Sequence, residues 1–256
     1  MLVHAAGLHG RVWAPLAAAL GAGFRCLAPD LRGHGDSEPP PELNFDWRGF
    51  AADVLAVVDG LGLQNPLGAG HSSGATALLL AEQARPGTFR ALYCFEPVIV
   101  PVHPPLGPDP DNWLAARARQ RRATFASRAE ALGNYATKPP LSELSSTVLR
   151  SYVEHGLEDL PDGTVRLKCP PEHEALVYET ATAHDCYSNL DQVRCPVTLS
   201  RGGRSEAFPP RLAEQIAARL PLASHELHPD LGHLGPLEDP DAVAASTRRA
   251  FSGFPS

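Results

Sequence analysis

Residues 66–80 read Pro-Leu-Gly-Ala-Gly-His-Ser-Ser-Gly-Ala-Thr-Ala-Leu-Leu-Leu, and the pentapeptide Gly70-His71-Ser72-Ser73-Gly74 inside them constrains the chain most. The G-x-S-x-G spacing predicts a short strand ending near Gly70 that turns sharply into a helix starting near Ser73. Ser72 is then held in a strained backbone conformation with its hydroxyl exposed. A Cβ at Gly70 or Gly74 would crowd that turn. Ala75, Leu78 and Leu79 recur at helical spacing, so the helical half is well formed. Leu67-Gly68-Ala69 has little β-propensity, which makes the strand half the weaker one.

The stretches around this turn alternate. Residues 1–5 read as a short buried strand, 13–20 as an alanine-rich helix ended by Gly21-Ala22-Gly23, and 24–28 as a second strand. A helix is predicted over 47–61, with Phe50, Val54, Val57, Val58 and Leu61 on one face and Asp46 as its N-cap. Another strand follows the elbow helix at 91–95. Strand and helix in alternation predict an α/β fold: a mostly parallel, doubly wound sheet with helices on both faces. Ligands bind such sheets at the carboxyl ends of the strands, where Ser72 falls.

The alternation stops at Pro97. Between 98 and 190 no core strand is evident; a Pro-rich run leads to helical stretches near 111–125, 127–137, 142–156 and 171–187, with a turn at Asp162-Gly163. An all-helical insertion is therefore expected over 98–190, within a core formed by 1–97 and 191–256. The alternation resumes with a strand at 196–199, a helix at 209–220, a strand at 224–227 and a closing helix at 240–251.

A chain of 256 residues can bury a proper core, and its net charge of −7 argues against nucleic acid or an anionic membrane as a partner. No apolar run is long enough for a membrane span, and no basic-then-apolar leader opens the chain. The five cysteines, Cys26, Cys94, Cys169, Cys186 and Cys195, are scattered without a C-x-x-C. That pattern predicts reduced thiols in the cytoplasm rather than disulfides or a zinc site. His173-Glu174 lacks the second histidine of a metal helix, so no metal and no cofactor is assigned. A small-molecule substrate, with the chain as monomer or homodimer, is the expectation.

A serine hydroxyl becomes a nucleophile only when a base takes its proton and an acid orients that base. His233 stands apart among the eleven histidines because it lies in a loop after the last strand, where it could reach back over the strand ends. His225 and His228 read as exposed strand residues, whereas His4, His9 and His34 sit in loops near the strand tips, where they could touch substrate.

Taken together, His4-Ala5-Ala6-Gly7 followed by Trp13, Pro29-Asp30-Leu31-Arg32-Gly33-His34-Gly35-Asp36-Ser37, the elbow, and Gly232-His233 resemble the α/β-hydrolase superfamily over nearly the whole chain. The resemblance implies Ser72 as nucleophile, His233 as general base, and an oxyanion hole from the backbone N–H groups of Ala6 and Ser73. It differs in two places. Relatives usually carry His-Gly where this chain has His4-Ala5, and a strand hairpin usually precedes it, for which Met1 leaves no room; this reads as a trimmed or misassigned start. The family places the acid after the penultimate strand, where Glu206 is the nearest carboxylate. Glu96, at the tip of the strand 91–95, is the rival.

A serine at the elbow cannot form the alkyl ester on which related dehalogenases and epoxide hydrolases depend. The expectation is therefore a serine hydrolase, an esterase acting on a small, apolar acyl substrate. Its alternatives are a C–C bond hydrolase of the same fold and a non-catalytic ligand receptor. The insertion would form a cap, with Trp113, Phe125, Tyr135, Tyr152 and Tyr178 as apolar lining or simple core. Arg117, Arg119, Arg121 and Arg122 read as a solvated helix face rather than an anion site.

Overall fold

The computed structural model describes residues 1–254. Strand β1 (Leu2–Val3) is followed by helices α1 (Ala14–Leu20) and α2 (Trp47–Gly60), strand β2 (Leu67–His71), helix α3 (Ser73–Ala84) and strand β3 (Ala91–Phe95). Asp46 caps α2 by accepting a hydrogen bond from the Arg48 N–H at 2.8 Å. The segment 24–28 corrects one expectation: it is extended but forms no strand, and its link to the sheet is Leu2 N–H donating to the Leu27 carbonyl at 2.7 Å.

The next elements are α4 (Trp113–Arg119), β4 (Thr124–Phe125), α5 (Arg128–Tyr135), α6 (Ser146–His155), β5 (Leu157–Asp159), β6 (Val165–Leu167) and α7 (Pro171–Glu179). The insertion is therefore not all-helical. Strands β4, β6 and β5 pair antiparallel in that order, and Asp162-Gly163 is the turn joining β5 to β6, with Gly163 at φ 85°. Its helices are also shorter than the periodicity predicts; the first stops at Arg119 and the last at Glu179.

The chain closes with β7 (Val197–Gly202), α8 (Pro210–Ala217), β8 (Ala223–His228), α9 (Gly235–Glu238) and α10 (Pro240–Phe251). The main sheet runs β1-β2-β3-β7-β8, parallel throughout. Side chains of β3 alternate between the two faces: Leu92 and Cys94 join the core under α2 and α3, whereas Ala91, Tyr93 and Phe95 join the core under α1 and α10. Burial on both faces overrides the poor strand propensity of β2, because a Cβ at Gly68 would already meet the Leu92 side chain at 2.7 Å. Small residues there let α3, buried from Ser73 to Gln83, lie close on the sheet.

The insertion is fastened to this core by specific bonds. Trp47 Nε1–H donates to the Val177 carbonyl at 3.2 Å, Ser151 donates to the Arg11 carbonyl at 2.7 Å, and His9 stacks on Tyr152. Phe125, Tyr135 and Tyr152 are buried in the core shared with α1 and α10, and Trp113 is exposed. Phe125, Tyr135 and Tyr152 thus pack as core, and Tyr152 also lines a small cavity with Gly7, Leu8 and His9.

Candidate active site

The elbow is formed as its steric requirements dictate. Ser72 joins β2 to α3 at φ 53° and ψ −120°, a conformation costly for any residue with a side chain. It is held by Ser72 N–H donating to the Phe95 carbonyl at 2.9 Å and by Thr76 N–H donating to the Ser72 carbonyl at 3.1 Å. A Cβ at Gly70 would lie 2.7 Å from the Ala75 backbone, and one at Gly74 would lie 2.3 Å from the Val3 carbonyl oxygen. Ser72 occupies the N-cap position of α3 without capping it. Its hydroxyl has no hydrogen-bond partner among the described residues, so the contact to a base is one still to be closed.

Parallel register brings the next group alongside. His71 pairs with Phe95, which sets Ser72 and Glu96 on adjacent strand tips. Glu96 also has a positive φ, 45°, and its side chain is fully buried. Its Oε2 lies 2.7 Å from Nδ1 of His233, which comes from the loop after β8. The same oxygen accepts a hydrogen bond from the Ser205 hydroxyl at 2.7 Å, and Oε1 accepts one from the Gly202 N–H at 2.8 Å.

Glu206, the carboxylate favoured from the sequence, does not take this place. It is exposed and bonds to no described residue. The reason is local: beyond β7, Gly203 N–H donates to the His228 carbonyl at 2.8 Å and Arg204 N–H to the Leu231 carbonyl at 2.9 Å. Those bonds tie the loop to the segment before His233 and leave Glu206 facing solvent. Ser205 and the Gly202 N–H are site partners that the sequence reading missed; only the spatial neighbourhood of Glu96 reveals them.

His71 holds His233 from the other side. Burial pushes its imidazole well below the usual histidine range, so it is neutral, and its Nε2–H donates to the His233 carbonyl at 2.8 Å. The two rings stand 5.0 Å apart. The Ala6 and Ser73 N–H groups belong to the loop after β1 and the first residue of α3, and neither has a protein acceptor among the described residues.

The three histidines near the strand tips are buried and bonded to backbone. His4 is fully buried and held neutral by desolvation; Leu31 N–H donates to its Nε2 at 3.0 Å, so its proton lies on Nδ1, donating to the Ala5 carbonyl at 2.8 Å. That stitch joins the loop after β1 to the Asp30–Ser37 turn, where Asp30 accepts from Gly10 N–H at 2.6 Å and Asp36 N–H at 2.9 Å. His34 and His9 are likewise buried, each bonded to a backbone carbonyl. His225 is exposed as expected, but His228 is buried and bonded to the Tyr93 hydroxyl at 3.1 Å.

The arginine cluster divides. Arg119 pairs with Glu172 and Glu179, and Arg122 with Glu130, all on the surface side. Arg121 turns inward, pairs with Glu174 and donates to the Tyr152 hydroxyl at 2.5 Å. No helix of the described residues is long and apolar enough to cross a membrane.

Comparison with known proteins agrees with this architecture. A sequence profile described as the alpha/beta hydrolase family matches residues 1–246. The N-formylmaleamate deformylase of Pseudomonas putida is 26% identical over 243 residues, covering 94% of this chain and 82% of that protein. A non-heme chloroperoxidase of Streptomyces lividans is 26% identical over 220 residues, covering 81% of this chain and 75% of that protein. Among solved structures, a peroxisomal alpha-beta-hydrolase of Saccharomyces cerevisiae superposes with a TM-score of 0.84 at 24% identity, covering 99% of this chain and 76% of that one. This chain belongs to the alpha/beta hydrolase family.

Proposed function

We propose that the protein is a serine hydrolase that cleaves an ester or related acyl bond of a small molecule, with Ser72 as nucleophile, His233 as general base and Glu96 as the orienting acid. The observation that carries the reading is the buried Glu96 carboxylate 2.7 Å from His233 Nδ1, one strand over from the unpartnered hydroxyl of an elbow serine. With Nδ1–H given to Glu96, Nε2 is the free lone pair that can take the Ser72 proton.

In the first half-reaction Ser72 Oγ bonds to the acyl carbon while its proton passes to His233 Nε2. The carbonyl π electrons move onto oxygen, which the N–H groups of Ala6 and Ser73 stabilise. Collapse of this intermediate expels the leaving alkoxide, which takes the proton from His233 and leaves an acyl ester on Ser72. Water then repeats the sequence, giving its proton to His233 and releasing the acid. The segment carrying α4–α7 acts as the cap over this centre. Turnover of p-nitrophenyl acetate and butyrate tests the reading: the wild-type protein hydrolyses at least one, and Ser72→Ala lowers kcat by about four orders of magnitude or more. Equal rates in the two proteins refute it.

A further inference from the structure

We propose that Ser205 is a positioning residue for this site: its hydroxyl pins the Glu96 carboxylate so that the carboxylate can hold His233. The inference deepens the catalytic reading above and rests on it for its kinetic consequences.

Glutamate reaches its carboxylate through three rotatable bonds, one more than aspartate, so a glutamate in this role needs more restraint. Both Glu96 oxygens are restrained from the end of β7 and the loop that follows it, Oε1 by the Gly202 N–H at 2.8 Å and Oε2 by the Ser205 hydroxyl at 2.7 Å. The direction of the second bond is fixed by chemistry. Ala207 N–H donates to Ser205 Oγ at 3.3 Å, and an ionised carboxylate only accepts, so the single hydroxyl proton goes to Glu96.

That loop is also bound to the base. A Cβ on Gly202 would stand 2.4 Å from the Leu231 carbonyl oxygen and 2.5 Å from that of Gly232, so the two backbones touch just before His233. Arg204 adds a bond from Nε to the Asp230 carbonyl at 2.8 Å and an ion pair with Glu238 at 2.8 Å, while Glu238 accepts from the Gly232 N–H at 2.9 Å. Acid anchor and base loop are thus one unit. Without the Ser205 hydroxyl, Oε2 keeps the imidazole as its sole side-chain donor, and the Gly202 N–H on the other oxygen is the one anchor left outside the His233 contact, so the carboxylate turns more readily about its last bond.

The test compares Ser205→Ala with the near-isosteric pair Ser205→Thr and Ser205→Val, which differ by the hydroxyl. In the resting protein, the downfield proton resonance of His233 Nδ1–H, identified by its absence in His233→Gln, should be sharp in wild type and Ser205→Thr. It should broaden into exchange in Ser205→Ala and Ser205→Val. With a p-nitrophenyl ester, the two variants lacking the hydroxyl should lose about tenfold to a hundredfold in kcat with KM within about twofold, and Ser205→Thr should restore most of it. An unchanged resonance in Ser205→Val, or a rise in KM at constant kcat, overturns the proposal. Because the resonance is read without substrate, absence of wild-type turnover would refute the hydrolase reading alone, and the spectrum would still decide the role of Ser205.

Discussion

Glu96 Oε2 and His233 Nδ1 lie 2.7 Å apart although the residues are separated by 137 positions in the chain. The distance is produced by the sheet: β3 ends beside β2 on one side and β7 on the other, and the loop after β8 folds back over all three tips. The contact separates the two candidate acids experimentally. Glu96→Gln should lower kcat by about a thousandfold or more, because the amide no longer fixes the imidazole tautomer or balances its charge. Glu206→Gln should stay within about twofold of wild type. Steady-state kinetics on one ester checks both.

The Arg121–Glu174 pair ties the loop after α4 to α7, inside the insertion. Glu174→Ala leaves a largely buried guanidinium with the Tyr152 hydroxyl as its remaining side-chain partner. The expected cost is about 3 kcal/mol, the lower end for breaking a buried ion pair from one side. Replacing both members, Arg121→Met with Glu174→Leu, should cost less than Glu174→Ala alone. Urea midpoints of the three proteins give the comparison.

Stability should fall on mild acidification. His184, stacked on Trp47 at 4.8 Å, is pushed down by burial to about 4, and His4 and His71 are also driven well below the usual range. Between about pH 6.5 and 4 the unfolded chain takes up protons that the folded one refuses, so stability drops as pH falls through that window. Each such imidazole contributes up to about 1.4 kcal/mol per pH unit. The urea midpoint of wild type should be lower at pH 5 than at pH 7.5, and His184→Gln should show a smaller difference.

Much of the fold is written in local patterns. Gly70 and Gly74 announce the elbow because any Cβ there collides with backbone, and α2 follows from apolar spacing with Asp46 as its cap. The three strands of the insertion escape notice because segments of two or three residues carry no readable alternation. Residues 24–28 have strand-like composition yet, among the described residues, meet the sheet through a single backbone bond from Leu2, since pairing depends on the neighbour's geometry. The sequence leaves the two candidate carboxylates undistinguished for the same reason. Glu96 and Glu206 both follow a strand, and only the fold of the loop through Arg204 decides which one meets His233.

Covalent labelling tests the central claim most directly. A fluorophosphonate phosphonylates a serine whose proton is drawn off by an oriented imidazole, so reaction with the protein followed by peptide mass mapping identifies the nucleophile. The account predicts one adduct per chain, on Ser72, abolished in Ser72→Ala and strongly slowed in Glu96→Gln but not in Glu206→Gln. Labelling of Ser73, Ser205 or a cysteine instead, or equal labelling rates in Glu96→Gln and wild type, would contradict it.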